Sequence, residues 1–197
     1  MRSFAMFLEK HAKGRTLLLL FVFTNLTYGY MLLVTIPTLT EFSGGLDIPD
    51  MMPLGYDHNY LENLMTELDT DGRQYYMNRQ IPVDMLYPLL FGLTYALLTA
   101  WVFMKLDAFA RPFPYVAQLP LIAAIADYAE NLGLMTILRN YPEWPDWLSE
   151  MTSAFTRIKS ASTTAYFVCL LLGLAYVLIW SKFFKKDSLS ERANDPE

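Results

Sequence analysis

Apolar residues along this chain collect in four blocks, about 16–38, 82–104, 115–138 and 160–181. Each is about 20 residues or longer, enough for a helix to cross a hydrocarbon core about 30 Å thick. The pattern predicts an all-α fold, a four-helix transmembrane bundle forming one domain over 1–184 with a polar tail at 185–197. The first block is longer than the apolar region of a cleaved signal peptide, and no small-residue cleavage site follows it. It therefore reads as a retained span.

Between the first two blocks lies a stretch of mixed character, 39–81. It opens with Gly and Pro, then places Tyr60, Leu61, Leu64, Met65 and Leu68 on one helical face, with Asp57 as the N-cap and Gly72 as the stop. A second helical piece, "RQYYMNRQ", is expected to run to Pro82, so that 39–81 forms a small helical cap. After the third block, Pro145 and Asp146 signal a helix start, and Trp147, Leu148, Met151, Ala154 and Phe155 make an apolar stripe. Trp144, Trp147 and Tyr141 suit a membrane–water boundary. At the N-terminus, Phe4, Phe7, Leu8 and His11 have helical spacing, which fits either a short amphipathic helix on the inner surface or a frayed end.

Composition agrees with a membrane protein. The chain is 54% hydrophobic and 18% charged, where a soluble domain has about a quarter of its residues charged. Ten Lys and Arg residues flank one side of the expected spans, and five (Arg73, Arg79, Arg139, Arg157 and Lys159) flank the other. That bias places both termini in the cytoplasm and the cap outside, in a multi-pass protein of the cell membrane. The net charge of −5 and the lack of a dense basic patch exclude nucleic acid as a partner. The single cysteine, Cys169, excludes an internal disulfide and a CxxC metal site, and reads as packing.

Polar residues inside the blocks carry the functional question. "IAAIADYAENLGL" puts Asp127 about 18 Å from the start of its span, near the middle, with Glu130 and Asn131 one turn further out on the same face. Ala126, Ala129 and Gly133 offer the opposite, close-packing face. Asp84, Tyr87, Phe91 and Tyr95 share a side of the second span, where Pro88 leaves the carbonyl of Asp84 in need of another partner. Asn25, Tyr28, Tyr30, Thr163, Thr164 and Tyr166 add polar groups from the first and fourth spans. The outer half is thus polar and the inner half apolar. This predicts a pocket open to the outside rather than a continuous pore. Its expected lining is Asp127, Glu130, Asn131, Asp84, Tyr28, Tyr87, Tyr95, Asn25 and Thr164.

Carboxylates at such depth mark a site by default. Two readings stand side by side: a hydrogen-bonded network that fixes helix packing, and a pocket for an amphiphile in which Glu130 or Asp127 handles a proton. No Lys or Arg lies within the second or third span at that depth, and Arg139, two turns beyond Asn131, could answer Glu130 only by reaching inward. No metal or other cofactor is expected: His11 and His58 lie outside the blocks, and no G-x-S-x-G, H-E-x-x-H or P-loop motif occurs. "ELDTDGRQYYMN" resembles a calcium loop, but Arg73 intrudes and the last position is Asn78 rather than Glu.

The run "GYDHNYLENLMTELDTDGRQYY", then Asp84 with "YPLLFGLTYAL", then "DYAEN", resembles a pattern in small four-span membrane proteins of unassigned function, over about 55–135. It implies the fold and no activity. The plan of a long first and short second outer loop is similar to claudins, without their tryptophan–cysteine signature. Four spans with membrane carboxylates are also similar to the sterol isomerase group at the level of the fold. The expected role is binding of a lipid-like ligand or a membrane-protein partner. The alternatives are acid–base chemistry on a lipid through Glu130 and Asp127, or a proton-coupled carrier. Membrane lipids and a second copy of the chain are the expected partners.

Overall fold

The computed structural model describes residues 2–106, 108 and 112–193, and the side chains among them from 3 to 179. All regular elements among these are helical: α1 (Arg2–His11), α2 (Gly14–Phe42), α3 (His58–Glu67), α4 (Asp69–Lys105), α5 (Phe113–Val116), α6 (Leu119–Asn140) and α7 (Asp146–Ala193). Four of these segments, Gly14–Phe42, Asp69–Lys105, Phe113–Asn140 and Asp146–Ile179, are long and apolar enough to cross a membrane. The expected tail, 185–197, is helical as far as Ala193, and its last four residues lie outside the described part.

The long helices pack in chain order, α2 on α4, α4 on α6 and α6 on α7. Half of the most apolar window is buried in α4 and in the third segment, against 17% in α2 and 11% in α7. So α4 and α6 form the centre, and the other two turn most of their apolar surface outward. Leu33, at 81% exposed, and Leu171 and Leu172 are large apolar groups left for lipid to cover.

The inward face of α7 is accordingly a stripe of Ser149, Thr152, Ser153 and Thr156, all buried. Of the expected apolar stripe, Leu148 is buried beside them, while Trp147 and Met151 point away, exposed. The physical reason is that lipid tails receive Trp and Met as well as a core does, so small residues are free to take the close helix contact. Gly133 of α6 sits there: a Cβ on it would overlap the Thr152 hydroxyl and lie 2.9 Å from its methyl.

The cap departs from expectation in one respect. Asp57 caps α3 as expected, accepting from the Tyr60 N–H at 2.8 Å. The chain breaks not at Gly72 but at Asp69, whose φ is +47°. Asp tolerates this left-handed conformation because its side chain bonds nearby backbone, here the N–H groups of Asp71 and Gly72. Gly72 lies inside α4, where its missing side chain admits Phe42, whose Cβ would be 2.9 Å from an added Cβ. "RQYYMNRQ" is therefore part of the first turns of α4 rather than a separate piece.

Two wide π-type turns, Met31–Thr35 in α2 and Tyr76–Gln80 in α4, each run into an Ile-Pro pair. Proline lacks an N–H and crowds the preceding turn, which widens it. The two turns meet where the Thr35 hydroxyl donates to the Gln80 side-chain oxygen. At the other end α1 is a formed helix, with Leu8 buried against Ala96, Leu97 and Ala100 of α4, and His11 bonded to the Phe7 carbonyl oxygen.

Candidate functional site

Asp127, Glu130 and Asn131 do share one buried face of α6. Asn131 Nδ2 donates to the backbone carbonyl of Asp84 at 3.2 Å. This is the carbonyl that Pro88 cannot serve, four residues on. A buried carbonyl without a partner costs about 1–3 kcal/mol, so Asn131 closes a specific gap in α4. The same amide lies 3.4 Å from Asp127 Oδ1.

The cation of the site is Lys159 of α7. Its ammonium lies 2.6 Å from Glu130 Oε2, 3.2 Å from Asp50 Oδ1 and 3.3 Å from Asp127 Oδ1. Three carboxylates thus converge on the ammonium of one lysine. The contact with Glu130 is an ion pair rather than a directed hydrogen bond, since no donor aligns with Oε2.

Asp50 arrives from the cap, on the single turn Pro49–Met51. Its Oδ2 accepts from Gln80 Nε2 at 3.2 Å, so the junction of the two wide turns also orients the cluster. Glu130 Oε1 accepts from Thr156 at 2.8 Å. Thr156 has one proton to give, which leaves its oxygen to accept from the Tyr56 hydroxyl, 3.2 Å away. Burial, with the Glu130 charge nearby, pushes the Tyr56 phenol above its ordinary value, so Tyr56 remains a donor.

With Asp84, whose carboxylate lies within 4.8 Å of those of Asp50 and Asp127, the cluster holds four carboxyl groups and one ammonium. Fully ionised, the group carries three uncompensated negative charges. Sequestered from water, such an excess is far too costly to persist. Protons or a cation must reduce it.

A cavity of about 260 Å³ opens beside the cluster. Its lining combines Tyr28, Leu32, Ile36, Tyr87 and Phe91 with Asp50, Asp84, Asp127, Lys159, Ser160, Thr163 and Thr164. Of the residues expected from sequence, Asp84, Asp127, Tyr28, Tyr87 and Thr164 line this cavity, with Tyr28 and Tyr87 stacked at 5.4 Å. Glu130 and Asn131 stand behind Asp127 in the bonded network. Tyr95 packs against Phe91, Tyr166 and Phe167 away from the lining, and Asn25 is exposed and bonds the Phe21 carbonyl of its own helix.

Sequence reasoning missed Lys159 and Asp50. Lys159 sits one residue before the apolar block and was counted with the outer flank. A signal was present: Thr152, Thr156, Lys159 and Thr163 recur at helical spacing on one face of α7. Asp50 carries no such signal, since it lies in an irregular segment.

A second constellation, His58 Nδ1 at 3.0 Å from Ser149 Oγ and Nε2 at 3.4 Å from Asp146, has the residue types of a hydrolytic triad. Ser149 is fully buried and takes the Trp144 indole N–H at 2.8 Å. No substrate carbonyl reaches it, and the arrangement ties α3 to the start of α7. No protein-family model, curated protein or solved structure matches the chain.

Proposed function

We propose that this multi-pass membrane protein binds a lipid-like molecule in the cavity beside Asp127 and Lys159. One observation carries the reading: the lining combines aromatic and aliphatic side chains with charged and hydroxyl-bearing ones. Small-molecule sites have about this character, largely apolar with a few convergent polar groups, and volumes from about 300 Å³ upward. At about 260 Å³, the cavity suits a polar head and its first carbons rather than a whole lipid. The head would meet Lys159, Asp127, Ser160 and Thr163, and the chain would leave past Tyr28 and Leu32. Cap residues Asp50, Met51 and Pro53 contribute to the lining, so on the orientation favoured by the Lys and Arg bias the cavity faces outward.

The test is recovery of ligand. Protein purified in mild detergent should carry one lipid class at near-stoichiometric level by native mass spectrometry. Ala123→Leu, which fills the cavity without touching a charge, should lose it, while Asp71→Asn should keep it. Equal retention by both variants, or no retained compound in the wild type, defeats the reading.

A second reading, proton transfer during lipid chemistry or transport, has a specific observation in its favour. A connected series of polar groups runs from Asp127 through Lys159, Glu130 and Thr156 to Tyr56. Tyr56 also borders a surface cleft with Asp57, Tyr60 and Arg157. The series therefore runs from residues that line the cavity to one that borders a second opening. Proton flux into liposomes that is abolished by Glu130→Gln would select this reading.

A further inference from the structure

We propose that Asp50, Asp84 and Asp127 bind a divalent cation of the magnesium, calcium and manganese class at the cavity wall. This goes beyond the lipid reading and stands without it. One carboxylate oxygen from each residue lies within 4.8 Å of the others. Ligand oxygens sit about 2.0–2.6 Å from such cations, so the three already fall within a single coordination sphere.

The donors also select the metal. All three are carboxylate oxygens, which suit hard cations, and no thiolate or imidazole belongs to the group. The three come from separate segments, and other contacts hold each in place. Gln80 and Lys159 hold Asp50, Asn131 braces the backbone at Asp84, and Lys159 and Asn131 hold Asp127. Lys159 occupies only one oxygen of Asp50 and one of Asp127. A doubly charged ion would bring the four carboxyls and the lysine close to neutrality. The adjoining cavity has room for the waters that a small hard cation keeps.

An independent observation points to a ligand at this place. The Tyr76 hydroxyl is fully buried and has no hydrogen-bond partner among the described residues. It lies close enough to Asp50, Glu130 and Asp84 to feel their charges. Buried hydroxyls without partners are rare in folded proteins. A water in the coordination sphere of an ion held by these carboxylates would give Tyr76 its partner.

The experiment uses the full chain in detergent and terbium(III) as a luminescent stand-in for calcium. Excitation through tyrosine should give emission from one saturable site, displaced by calcium or manganese. Asp84→Asn and Asp50→Asn, checked for folding by circular dichroism and gel filtration, should each weaken binding at least 10-fold, and Asp71→Asn should not. A folded Asp84→Asn or Asp50→Asn protein that binds terbium like the wild type overturns the proposal. A second measurement needs only the wild type. Millimolar calcium or manganese should raise its melting temperature, and sodium chloride of equal ionic strength should not. No difference between these salts also overturns it.

Discussion

Asn131 of α6 supplies the hydrogen bond that Pro88 denies to the Asp84 carbonyl in α4, at 3.2 Å. Asn131→Ala should therefore destabilise the bundle by about 1–3 kcal/mol, the usual cost of stranding a buried carbonyl. Pro88→Ala restores a backbone N–H four residues along. In the Asn131→Ala background it should recover part of the loss, and by more than its effect in the wild type. Thermal denaturation of the four proteins in detergent measures this coupling. Additive effects would show that Asn131 acts elsewhere.

Lys159→Met should cost about 3–5 kcal/mol, because it leaves Asp50, Asp127 and Glu130 without their ammonium. Glu130→Gln should be less harmful in that background than in the wild type, since one excess charge is then removed. A loss below about 1 kcal/mol for Lys159→Met, the range of an exposed pair, would contradict the enclosed cluster.

Gly133→Ala should separate α6 from α7, since the new methyl overlaps the Thr152 side chain. Overpacking of this kind costs about 1–3 kcal/mol. Thr152→Ala removes the overlapping hydroxyl and methyl and should suppress much of the defect, read as recovered monodisperse protein on gel filtration.

Tyr56 gives a pH dependence of definite sign. Burial first, and then the Glu130 charge, raises its folded-state value above the ordinary one of about 10. The stability it contributes is complete below about pH 10 and falls as pH rises beyond it, because only the unfolded chain then releases the proton. Tyr56→Phe should flatten the decline in melting temperature between about pH 10 and 12. An unchanged slope would place the phenol in water.

Much of the fold was legible because membrane helices are specified by length and hydropathy alone. Asp57 as a cap and the unmet need of the Asp84 carbonyl were legible too, being local consequences of side-chain and proline chemistry. The answer to that need, Asn131, depended on which faces of α4 and α6 meet, and this is a tertiary fact. Lys159 was misplaced for a related reason. α7 begins at Asp146, well before its apolar block, so a residue that reads as flank is more than three turns inside a helix. A lysine stem is long enough to lay its ammonium on a neighbouring helix. The inward face of α7 was obscured because lipid reverses the usual preference, so small hydroxyl residues rather than Trp147 and Met151 take the close helix contact.

The order of synthesis gives Lys159 one more consequence. Asp50, Asp84, Asp127 and Glu130 all precede it in the chain, so a nascent protein holds four acids inside or beside its first three spans before their shared counter-charge exists. A chain truncated before α7 would keep these acids without their ammonium, a difference in charge that separates an unfinished copy from a finished one.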